Sequence, residues 1–310
     1  MTGSVINSGI LSTTNGGEGK ALYVTGSSIS QGIVNNGSII AGNVAINLNS
    51  STITGGITNS SSLTATVPSY TGGSFTSTYG IQASWSAVSL ASATVNGGLN
   101  NSGSMYGFVS GIYLDGSSVI NQGISNTGVI VSYQAISLAS GAQVNGGVTN
   151  GSSVNSAASM TSASNGGISG GNAIYNAGSI DFVSNYGQMT GGTDTSVSGT
   201  SARSAIANAS GGVIGSIVNQ STGVISSSLA SSGTYQTSYG IYNSGTVTSL
   251  TNYGTIQGNE GVHTNTGGSI LSHLAPGLIP FQLGTKSVFC HYDSLYHFLQ
   301  ADVTGSFFFI

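Results

Sequence analysis

The chain has 310 residues, is 38% hydrophobic and only 3% charged, contains 50 Gly, and has a formal net charge of −4. Disordered chains combine few aliphatics with high net charge; here Val, Ile and Leu are spread evenly among Ser, Thr, Asn and Gly, which excludes disorder and suits many short strands joined by turns. The basic residues are Lys20, Arg203 and Lys286 alone, too few for a phosphate-binding patch, so nucleic acid is excluded as a partner.

The chain opens on MTGSVINSGIL, which has neither the basic region nor the apolar core of a signal peptide. It begins inside a repeat, so either a fragment of a longer protein or a wrongly assigned start is expected. No apolar run approaches the roughly 18 residues of a membrane span. The single cysteine, Cys290, excludes an internal disulfide.

Two motifs then alternate along the body. The first is a small residue followed by an aliphatic, as in ALYV at 21, AINL at 45, GIQA at 80, GIYL at 111, AISL at 135, AIYN at 173, AIAN at 205, GIYN at 240 and GVHT at 261. The second is a hydrophobic residue, one variable residue, Asn and a turn, as in GIVNNGSI at 32, GLNNSGSM at 98 and GISNTGVI at 123. Its asparagines are read as Asn35, Asn59, Asn100, Asn126, Asn150, Asn185, Asn219 and Asn252. The shortest separation, 24 residues from Asn35 to Asn59 and from Asn126 to Asn150, is enough for one coil of a parallel β-helix. Longer separations are one coil plus an insertion.

Residues 117–141 read as one bare coil, with strands near Val119–Ile120, Ile124–Ser125, Val129–Val131 and Ala135–Leu138. Alternation sends Ile136 and Leu138 to one side, the interior. Helical periodicity is absent from the body. The expected fold is all-β: a right-handed parallel β-helix of about nine three-strand coils over residues 1–270, with a ladder of stacked asparagines along it.

The insertions begin at residues 64, 156, 190 and 227 and are expected to leave from equivalent corners, on one side of the rod. They bring Tyr70, Phe75, Tyr79, Arg203, Tyr235 and Tyr239, a composition suited to adaptable contacts. Slack repeat sequence that drifts without cost is the alternative.

Catalysis needs at least two positioned groups. The acids Glu18, Asp115, Asp181, Asp194, Glu260, Asp293 and Asp302 are scattered, so no catalytic residue, metal site or cofactor is expected. GISGG at 167 fits a nucleophile-elbow pattern only by composition. GGEGKA at 16 has Ala21 where a phosphate loop requires Ser or Thr. Glu260 and His263 on one turn supply two metal ligands, too few. Isolated Thr-x-Thr pairs (Thr64–Thr66, Thr246–Thr248) fall short of an ice-binding face.

Residues 271–310 form a different text, with six of the nine Phe and three of the four His. Either Val288, Tyr292, Leu295 and Leu299 place a short amphipathic helix over the end of the rod, or the tail is foreign to the repeat, the reading preferred here. Cys290, His291 and His297 lack further matched ligands for a metal.

The alternation of AIYNAGSI, GISNTGVI and GIYNSGTV resembles the passenger regions of bacterial autotransporters (type V secretion), over about residues 3–270. The resemblance implies a right-handed β-helix displayed at the cell surface or released, anchored in the outer membrane through a C-terminal β-barrel that this chain lacks. It implies a non-enzymatic stalk and adhesin whose partner is a host or bacterial surface protein or glycan. The competing class is a carbohydrate-active or carbohydrate-binding β-helix, of polysaccharide lyase or phage-fibre type.

Overall fold

The computed structural model describes residues 1–13, 18–63, 65–68, 74–162, 171–192, 203–227, 238–274, 279–283 and 286–290; of 65–68, 74–77, 203, 279–283 and 286–290 it describes the backbone alone. The described residues contain strands and turns and no α-helix. The strands pair in parallel, one repeat upon the next, in two large sheets. This is a parallel β-helix.

Four strand columns make the wall. The first motif forms one of them, through Lys20–Thr25, Val44–Asn49 and Ser86–Ala91 and on to Glu260–Thr264. A short column follows, through Ser28–Ile29, Thr52–Ile53 and Thr94–Val95. The second motif forms the third, through Ser4–Asn7, Gly32–Asn35 and Ile57–Asn59. The fourth runs through Ile10–Ser12, Ser38–Ala41 and Ile81–Ala83 and leads back to the first. The middle turns fuse two columns into one strand, as in Ser104–Leu114 and Val129–Leu138, so such a turn has three strands.

Alternation within each strand decides what is buried. Ile46, Val88, Ile112, Ile136, Ile174, Ile206 and Ile241 occupy one register position of the first column, and none is exposed. Each contributes about 1.5–3 kcal/mol of apolar burial, against ordering costs of similar total size. Stacking between turns therefore supplies the surplus.

Two residues further along that column the chemistry changes. Leu48, Leu90, Leu114 and Leu138 stack in the early turns, and Asn176, Asn208 and Asn243 take the same position in the later ones. The corners change with it. In the leucine turns the second and third columns are separated by a glycine corner, with Gly98 and Gly123 both at φ +75°. In the asparagine turns those columns run straight through, in Ser179–Asn185, Val213–Asn219 and Thr246–Asn252. The rod is thus built from two coil designs, joined near residues 139–178.

The last parallel rung is Ser269–Leu274. Beyond it Ile279–Leu283 and Lys286–Cys290 form an antiparallel hairpin, bridged to the last turn through Glu260 and Phe281. An antiparallel hairpin on the final rung interrupts the parallel edge that another turn would extend. Val288 lies in this hairpin, paired with Phe281, so the helix expected from its spacing does not include it. Cys290 ends the same strand; Tyr292, Leu295, Leu299, His291 and His297 lie outside the described residues.

The glycine corner gives a direct test. A Cβ on Gly123 would meet the carbonyls of Gly146 and Gly147 in the next turn, whereas one on Gly211 (φ +80°) would meet nothing within 4 Å. Both sites are left-handed, so Gly211→Ala should cost about 1 kcal/mol. Gly123→Ala should cost at least about 1–3 kcal/mol more, read as the difference in denaturation midpoints; equal losses would show that turn-to-turn contact at this corner is slack.

Candidate functional site

The asparagines end the third column. Asn35 donates to the Asn59 side-chain oxygen at 2.8 Å, Asn59 to Asn101 at 2.7 Å, Asn101 to Asn126 at 2.7 Å and Asn126 to Asn150 at 2.8 Å. The chain of amides continues through Asn185 and Asn219 to Asn252, and begins at Asn7. Each amide nitrogen also meets backbone carbonyls, as Asn35 does with Gly37 and Gly80. A flipped amide would set oxygen against those carbonyls, so the network fixes every orientation.

One assignment is corrected. Asn100 is exposed and pairs in register with Thr58 and Ser125; its neighbour Asn101 is buried in the ladder. The missed signal is the triplet Asn-x-Gly. Asn7, Asn35, Asn101, Asn126, Asn185 and Asn252 each stand two residues before a glycine. The reason is local: each donates to the carbonyl of that glycine, closing the turn.

Two further amide ladders escaped sequence reading. Asn176, Asn208 and Asn243 form one at the end of the first column, at 2.8 Å per step. Asn96, Asn121 and Asn145 form a half-buried one at the end of the second, at 2.9 and 2.8 Å. Three of the four corners therefore carry an asparagine ladder in part of the rod.

The fourth corner, where the chain passes from the fourth column to the first, carries none. It holds Asn43, then Trp85, then Phe108 and Val109, then Tyr133 in successive turns. Trp85 is 57% exposed. In the following turns the chain leaves this corner at Ser162, Gly192 and Ser227 and returns at Gly171, Arg203 and Ser238, so three insertions belong here. The first insertion is a correction to the single-corner expectation: it leaves after Leu63 and returns before Gly80, at the other end of the same fourth column. Its backbone forms an antiparallel hairpin, Ala65–Pro68 with Ser74–Ser77.

The aromatic contact residues divide. Tyr79 is half-buried and stacks on Tyr106 with ring centroids 5.1 Å apart. Phe75 lies in the hairpin backbone, and Arg203 opens a strand, paired with Ser238, rather than sitting in a loop. Tyr239 is also corrected: it is a strand residue, 6% exposed, and contacts Tyr242 at 5.4 Å and His263 at 4.6 Å. Tyr70 and Tyr235 lie outside the described residues. The alternation of Ile241 and Asn243, both buried, was the available signal that residues 238–243 form a strand.

Three of the described acids are held by their surroundings. Asp115 accepts from the Ser118 hydroxyl at 2.7 Å and from the Ser92 and Ser117 amides at 2.9–3.1 Å. Burial raises its pKa, but these hydrogen bonds outweigh burial and hold the carboxyl below its ordinary value of 3.8. Asp181 accepts from the Gly146 amide at 2.7 Å. Glu260 meets His263 at 2.7 Å on a strand rather than a turn, with His263 stacked on Tyr242. No group of three metal-binding side chains occurs among the described residues. No family model matches the chain, and neither a curated protein nor a solved structure matches it.

Two outcomes test this geometry. Asn126→Ala should cost about 2–5 kcal/mol, since it leaves the buried Asn150 side-chain oxygen without its donor and takes from Asn101 its side-chain acceptor, while Asn100→Ala should stay within about 0.5 kcal/mol; urea denaturation of both variants distinguishes them. Asp115 has a depressed folded pKa, so its stabilisation is complete above the unfolded value and is lost as pH falls through the folded one. Wild-type stability should therefore fall more steeply than that of Asp115→Asn between about pH 4 and pH 2, measured as denaturation midpoint against pH.

Proposed function

We propose that this chain is a non-enzymatic, extracellular structural rod of the autotransporter-passenger kind, which holds adhesive contacts at a fixed spacing. The observation that carries this reading is the division of labour among the corners. Three bear asparagine ladders. The remaining one bears an aromatic residue, exposed at Trp85, or an insertion in most turns. A rigid scaffold that varies at one edge is the arrangement expected of a display surface.

The acids speak for the same reading. Asp115, Asp181 and Glu260 are each engaged by neighbours, on separate turns. General acid–base work on a glycosidic bond calls for two carboxyl groups flanking one bond.

The test is display of the chain on a non-adherent bacterium through an unrelated outer-membrane anchor. Displaying cells should attach to coated surfaces or aggregate severalfold more than cells carrying a repeat rod of equal length without the aromatic corner. Attachment no greater than that of the control would overturn the adhesive reading.

A further inference from the structure

We propose that Asn96–Gly97 is a self-modification site, at which the folded rod converts one asparagine side chain into a carboxylate without an enzyme. This reaction does not depend on what the rod binds.

The Gly97 backbone nitrogen attacks Cγ of the Asn96 side chain. A bond forms between that nitrogen and Cγ, the Cγ–Nδ2 bond breaks, and ammonia leaves with the proton that the Gly97 nitrogen gives up. Water then opens the five-membered imide and leaves aspartate or isoaspartate at residue 96. Water is the co-reactant, and nothing is oxidised or reduced. Placing both groups on adjacent residues makes the first step intramolecular. Glycine favours it, because no side chain hinders approach to its nitrogen. Two further conditions are set by the fold. The glycine N–H must be free to lose its proton, since an amide bonded to a carbonyl is protected. The asparagine oxygen should face a donor that stabilises the charge developing on it.

Four Asn-Gly pairs lie among the described residues, and the fold treats them differently. Asn36 has a donor, the Ser60 hydroxyl at 2.5 Å, but the Gly37 amide donates to the Asn7 carbonyl at 3.0 Å. Asn150 accepts from Asn126 at 2.8 Å, but the Gly151 amide donates to the Asn126 carbonyl at 2.8 Å. At Asn145 the Gly146 amide is held by the Asp181 carboxylate at 2.7 Å, and that negative charge opposes a second one forming beside it. Asn96 meets both conditions. Its oxygen accepts from the Asn121 amide at 2.9 Å, and the Gly97 amide donates to no acceptor among the described residues. Both residues are half-buried, so water reaches them.

The direction of this ladder makes the exchange tolerable. Asn145 donates to Asn121, and Asn121 donates to Asn96. Asn96 is the final acceptor, and its own amide nitrogen donates to nothing among the described residues. A carboxylate there still accepts from Asn121, through a charge-assisted bond. Asn126 in the main ladder has no such freedom, since its nitrogen must donate to Asn150.

The experiment incubates the folded full chain in water labelled with heavy oxygen at mildly alkaline pH and follows each pair by peptide mass spectrometry. Chymotryptic cleavage after Leu90 and Leu99 isolates Asn96. That peptide should take up heavy oxygen at least about tenfold faster than those holding Asn36, Asn145 or Asn150. In urea the four pairs should react within about threefold of one another, because the fold no longer separates them. Asn121→Ala should slow the reaction at Asn96 by about threefold or more, with circular dichroism confirming that the rod is intact; where that variant unfolds, the contrast between folded and denatured wild type decides alone. Asn96→Asp should keep the wild-type denaturation midpoint, whereas Asn126→Asp should lower it. No uptake at Asn96 under conditions where the denatured chain reacts overturns the proposal. So does faster reaction at Asn36, Asn145 or Asn150, a folded Asn121→Ala that reacts at the wild-type rate, or an Asn96→Asp rod that loses stability.

Discussion

The amide-to-amide hydrogen bond between stacked asparagines is the constraint on which the rest of the rod depends. Each side chain in the main ladder donates forward to the next turn and accepts from the one before, from Asn7 to Asn252. All of these groups are buried away from water over most of the rod. A slip of one residue in any turn would therefore do more than turn aliphatics outward. It would leave a donor and an acceptor unpaired in the interior, at about 1–3 kcal/mol each. Alternative registers are penalised twice, once by the apolar column and once by the amide column. That double penalty lets a chain of near-identical repeats choose one pairing.

The same bonds explain where the chain tolerates insertion. Asn59 reaches Asn101 across a separation of 42 residues, with the same geometry that Asn126 uses over 24. Asn35 closes on the carbonyl of Gly80, where the inserted segment returns to the wall. The ladder thus re-forms the corner regardless of what lies between. At the corner without a ladder no such closure exists, and three insertions and the Trp85, Phe108 and Tyr133 series occupy it. Structural economy and variability are separated by which corner carries a self-complementary side chain.

Much of this was legible in the sequence, because a stacked fold repeats its instructions. The four strands read within 117–141 correspond to Val119–Ile120, Ile124–Asn126 and the two halves of Val129–Leu138. What escaped was phase and substitution. In GLNNSGSM two adjacent asparagines compete, and only the carbonyl of Gly103, to which Asn101 donates at 3.3 Å, decides between them. The exchange of Leu138 for Asn176 in one column is also hidden, since an aliphatic and an amide share no hydropathy pattern, yet both fill the same interior position. Tyr239 was misplaced for a related reason: flanking Ser, Thr and Gly look like loop, while its pairing partners Ser204 and Glu260 are distant in sequence.

The scarcity of charge follows from the stacking itself. In a parallel, in-register wall each residue sits about 4.8 Å from its counterpart, where like charges repel by about 1 kcal/mol even in water. A column of identical ionised residues would add that cost at every turn. Repetition therefore selects neutral side chains, and among polar ones it selects the amide, which is its own best partner because it carries both donor and acceptor. Asp115 and Asp181 follow the rule by standing alone. Asp115 adjoins Leu114, whose register neighbours Leu90 and Leu138 are followed by Ala91 and Ala139, and Asp181 lies opposite Gly215. Lys20 and Arg203 follow it likewise, each standing opposite a neutral residue, Val44 and Ser238.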